Sequence, residues 1–142
     1  MMTAQIRNLE EARRAIDSHV HLVLELFGRA SGIDFGLNRA SLRWLDDLIE
    51  LQRAAPGFDP EPVVESLTSL IGSFLGACIV ADTKGDWHIN EKGSLGVRLP
   101  NGVFVNPFQQ TKEAIRRGVE SGATISRFHQ AAVGRVAIGG EE

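Results

Sequence analysis

The chain has 142 residues, 43% hydrophobic and 23% charged, with a net charge of −3. That is enough chain for one real core and too apolar a composition for a disordered segment; with no basic excess to meet a phosphate backbone, nucleic acid is not the expected partner. Cys78 is the only cysteine, which excludes an internal disulfide and a cysteine-held zinc.

The opening "MMTAQIRNLEEARR" is polar and lacks the apolar core of a secretory signal, so a cytoplasmic bacterial-type protein is expected. Ile6, Leu9, Ala12, Ile16, Val20, Val23 and Phe27 recur at three- and four-residue steps, the period of a helix that buries one stripe. Gly28 is the expected stop. Val20, Leu22, Leu24 and Leu26 also alternate as in a half-buried strand, but the helical period reaches back to Ile6 without a turn signal, and the helix is preferred.

"SGIDFGLN" reads as an irregular link, and Asn38 as the cap of a second helix whose core face is Leu42, Leu45, Leu48 and Ile49. Pro56-Gly57 ends it, and Asp59-Pro60 starts a third helix. That helix runs through "SLTSLIGSFLGACIVA", residues 66–81, which carry no charge. A bilayer span needs about 20 apolar residues, so sixteen with serines and glycines fall short. Gly72 and Gly76 have neither the spacing nor the following lysine of a phosphate loop. Leu67, Leu70, Ile71, Phe74, Leu75, Cys78 and Ile79 form a wide apolar face, and Ser69, Gly72, Ser73 and Gly76 a small-residue stripe. This is the expected core helix, with close backbone approach at its glycines.

"DWHIN", "SLGVRL" and "VFV", separated by "EKG" and "PNG", predict a three-stranded antiparallel meander. Asn101-Gly102 suits a two-residue hairpin with positive φ at both positions. Trp87, Ile89, Leu95, Val97 and Leu99 would face the core, and His88 and Arg98 the other side. Asn106-Pro107 opens a fourth helix, with Gln109 at the reciprocal capping-box position. Gly118 and Gly122 are candidate stops, and a last helix from about Thr124 buries Ile125, Phe128, Ala132 and Val136. Residues 137–142 are expected to fray. The fold class is α+β, a single domain over 1–142: two N-terminal helices, a buried central helix, the meander and C-terminal helices.

These pieces, in this order, resemble an uncharacterised family of small bacterial α+β domains, a domain of unknown function. The resemblance is carried by "SLRWLDDLIE" at 41–50, "LIGSFLGACIV" at 70–80, "GDWHI" at 85–89, "LGVRL" at 95–99 and "NPFQQTKEAIRRG" at 106–118. It implies the helices–meander–helix architecture and no catalytic residue.

His19, His21 and Glu25 would share a face on a strand, but on a helix the two histidines diverge by about 200°. No metal site and no cofactor are expected. Asn106, Pro107 and Phe108 with Lys112 are either an anion site or an ordinary cap. Trp87, His88 and Arg98 sit on paired strands, where His88 has the chemistry of an acid or base. Trp44 with Asp46, Asp47 and Glu50 forms an acidic helical face with an aromatic edge. Cys78 has no basic neighbour to activate it. With no recognisable catalytic constellation, the leading expectation is a non-catalytic interaction or accessory protein, its partner another protein or a second copy in a homodimer, meeting the Trp44–Asp46 face and the Arg98 face. The alternative is a small-ligand binder or enzyme with its site over the sheet near His88, Arg98, Asn106 and Lys112.

Overall fold

The computed structural model describes residues 2–118, 122 and 124–140, with the side chains of 2–7 and 137–140 left aside. In chain order the elements are α1 (Met2–Ser31), α2 (Arg39–Arg53), α3 (Glu61–Thr83), β1 (Asp86–Ile89), β2 (Leu95–Arg98), β3 (Phe104–Val105), α4 (Pro107–Arg117) and α5 (Ile125–Gly140). The architecture is α+β, with an antiparallel sheet ordered β1-β2-β3.

Residues 19–27 are helical. Of the predicted stripe, Ile16 and Val23 are buried, while Leu9, Ala12, Val20 and Phe27 are half-buried; the Ile6 side chain lies outside the described residues. Gly28 does not stop α1. The helix continues to Ser31, and the left-handed residue that follows it is Gly32, at φ +71°. Asn38 caps α2 as expected, accepting from the Ser41 amide at 2.9 Å. At the start of α3 the Asp59 carboxylate accepts from the Glu61 amide at 3.2 Å, with Pro60 at the cap position.

The central helix is longer than the uncharged stretch suggested. At 23 residues it is long and apolar enough to cross a bilayer, so length does not decide its role. Its neighbours do: α1, α4, α5 and the sheet all pack on it, and Ile71, Phe74, Leu75, Cys78 and Ile79 are fully buried. The small-residue stripe is a bed for aromatic rings. A Cβ at Gly72 would lie 2.6 Å from the Phe108 ring, and one at Gly76 would overlap the Trp87 ring. Those rings sit 5.9 Å apart, centroid to centroid. At Gly72 backbone also comes close, with the Phe108 Cα at 3.2 Å from that Cβ position.

Both hairpins differ from the two-residue turn expected at Asn101-Gly102. The Gly102 amide donates to the Leu99 carbonyl, and Leu99 pairs again with Val103, leaving a three-residue loop. Gly102 has φ +89°, and Asn101 is not in the left-handed region. "EKG" does the same: the Gly93 amide donates to Asn90, and Gly93 has φ +80°. This is a type I turn closed by a left-handed glycine, the usual three-residue hairpin. Val97 and Leu99 are buried under the sheet, and Trp87, Ile89 and Leu95 are half-buried. At the other end, α5 runs on to Gly140, through residues expected to fray; Glu141 and Glu142 lie outside the described residues.

Candidate functional site

The residues singled out in the sequence are mostly engaged inside the fold. Trp44 is half-buried between Phe27, with ring centroids 5.6 Å apart, and Phe35, at 5.7 Å and edge-on. Asp46 leaves the expected acidic face: its carboxylate accepts from the Ile125 and Ser126 amides and the Ser126 hydroxyl. Burial raises its pKa above the ordinary 3.8 in spite of those three bonds, and Asp47 adds to the rise. Trp87 lies on Gly76.

His88 and Arg98 stand on the outer side of the sheet, in register with Gly96 and Asp86 respectively, and the His88 ring meets Phe104 edge-on at 6.3 Å. Asn106 is a cap, its side chain accepting from the Phe108 and Gln109 amides, both at 3.1 Å. Those amides are therefore spent on the chain itself and not open to an anion. Gln109 does not close the capping box; its amide donates to Glu113. Lys112 pairs with Glu65 at 3.2 Å. The structure brings Asn106 and Lys112 together, in a shallow crevice with Thr68, Ser94 and Gln109, and places neither His88 nor Arg98 in it.

The histidines of α1 diverge. His19 Nδ1 is 3.2 Å from the Ser73 hydroxyl, and His21 faces Glu25 one turn on, at 3.3 Å. Among the described residues no group of three metal-ligating side chains forms. The Cys78 thiol is pushed up to about 12, by burial first and the charge of Asp82 second, and it is inert packing.

Two features escaped the sequence. One is the pair of His129, buried on α5, with Asp82 at the end of α3, 2.7 Å apart. A signal existed: His129 stands four residues after Ile125 and three before Ala132, on the stripe that buries both. The other is a cavity of about 330 Å³, open on one side, where α1, α2, α3 and α4 meet.

One stripe of each helix builds that cavity. α2 supplies Leu48, Ile49 and Gln52, and α3 supplies Val63, Ser66, Leu67 and Ile71, at the one-, three- and four-residue steps of a single face. Phe27 closes it from α1 and Ile115 from α4. Phe58 enters from the α2–α3 loop, where its amide donates to the Ala55 carbonyl at 3.1 Å. Ile49, Ile71 and Ile115 are the buried end of the lining, and Gln52 and Ser66, both exposed, are its only polar members among the described residues. Among the described residues, none of the lining side chains is ionisable. Such walls desolvate and hold an apolar body.

The chain matches no known family model, no curated protein and no solved structure.

Proposed function

We propose that this chain is a non-catalytic binding protein whose ligand is a small, largely apolar molecule held between α1, α2, α3 and α4. One observation carries the reading: a cavity of about 330 Å³ with an apolar lining and two polar side chains. Small-molecule sites start at about 300 Å³ and combine apolar walls with a few placed polar groups. On this reading the ligand sits among the helices, away from the position over the sheet that the sequence offered as its ligand-binding alternative. The order of motifs supports grouping the chain with the small bacterial α+β domains it resembles.

The test is a titration with 6-acetyl-2-(dimethylamino)naphthalene, an uncharged bicyclic dye whose emission rises in apolar surroundings. Saturable one-to-one binding is expected, lost in Leu67→Trp, which fills the cavity while thermal unfolding shows the variant folded. No saturable emission from the wild type would overturn the reading.

A second reading, self-association, rests on Leu22 and Leu26, one turn apart on α1 and 40% and 53% exposed. Concentration-dependent elution on size exclusion, abolished by Leu22→Glu with Leu26→Glu, is its expected result. Monomer at every concentration would remove it.

A further inference from the structure

We infer that the ligand of this cavity is uncharged, with a body of about eight carbons and one polar group at its mouth end; this rests on the binding reading above. Size comes first. An apolar cavity of about 150 Å³ accepts benzene, and this one, at about 330 Å³, takes a bicyclic ring or a chain of about eight carbons.

Charge comes second. Several ionic side chains that border the lining positions pair with one another. Glu50 and Arg53, on either side of Gln52's turn of α2, pair at 3.3 Å. Arg53 also donates to the Ile115 and Arg116 carbonyls, which fixes it against the end of α4. Glu61 pairs with Arg116, and Glu65 with Lys112, tying the first turns of α3 to α4. A charged head group would find no unpaired counter-ion in the lining, and burying it there carries the full desolvation penalty.

The polar group comes third. Gln52 on α2 and Ser66 on α3 are the only polar lining side chains among the described residues. An amide and a hydroxyl each donate and accept. Together they suit a hydroxyl, amide or ester, and neither supplies the charge that a carboxylate or an ammonium requires.

The experiment titrates the full chain at pH 7.5 with octan-1-ol, octanamide, octanoate and octylamine by calorimetry, with displacement of 6-acetyl-2-(dimethylamino)naphthalene in parallel. Octanol and octanamide should bind one to one, at least about tenfold more tightly than either ion. Gln52→Ala with Ser66→Ala should weaken octanamide and octanol several-fold, and no loss in either would remove the polar contact. Octanoate or octylamine binding as tightly as octanamide overturns the uncharged ligand and leaves the apolar site standing. If the dye and all four compounds fail, both fall.

Discussion

The carboxylate of Asp46 on α2 caps α5, with Oδ1 2.9 Å from the Ile125 amide and Oδ2 2.6 Å from the Ser126 hydroxyl. A helix start has free amides and a partial positive charge, and here a side chain from another helix satisfies both needs. Asp46→Ala should cost about 2 kcal/mol in chemical denaturation, as a lost cap with buried donors left unpaired does. Asp46→Asn keeps one acceptor and should cost roughly half as much.

The pH dependence of that cap has a definite sign. Burial raises the Asp46 pKa above 3.8 in the fold, so the folded state holds the proton more firmly than the unfolded chain does. Its stabilising share is thus complete below about pH 3.8 and is lost as pH rises through the folded value. The stability of the wild type minus that of Asp46→Asn should therefore fall as pH rises above 3.8. A difference that grew over that range would contradict the burial of this carboxylate.

Gly72 and Gly76 were legible as a packing surface, and their partners were not. The period of three and four showed which side of α3 is small, but not that Trp87 and Phe108 would lie on it. Gly76→Ala should cost about 2–3 kcal/mol, because a methyl group there overlaps the indole. Gly134 is the control. It is helical, nothing lies within 4 Å of a Cβ at that position, and Gly134→Ala should stabilise by about 0.5–1 kcal/mol.

What the sequence carried well was local. Asn38 and Asn106 cap the helices they precede because capping needs only a side-chain oxygen and the next few amides. What it carried poorly was distant. Asp46 reads as one more exposed acid on α2, and its partners lie 79 and 80 residues further on. Likewise Leu48, Leu67 and Ile71 read as core, since periodicity says which side of a helix is apolar. It does not say that the helices around them leave a cavity of about 330 Å³.

His129 and Asp82 make a prediction of their own. Nε2 of the buried ring faces the carboxylate at 2.7 Å, and Nδ1 has no partner. Asp82→Ala leaves both ring nitrogens unpartnered and should cost about 1–3 kcal/mol. Adding His129→Leu to it should recover much of that loss, since removing both partners spares the desolvation of either. A double-mutant cycle by urea denaturation reads the coupling directly.

Ligand binding and stability are linked through the same cavity. A molecule that binds only the folded chain raises its unfolding free energy by about 2.7 kcal/mol at 100 times its Kd. Octanamide at that excess should raise the melting temperature of the wild type measurably. Leu67→Trp should begin with a higher melting temperature, since a ring occupies the apolar space the ligand would fill, and then show no further rise. Ile71→Ala enlarges the buried end of the cavity and should cost about 2–5 kcal/mol, while the octanamide shift persists. An equal ligand shift in the wild type and in Leu67→Trp would place the binding elsewhere.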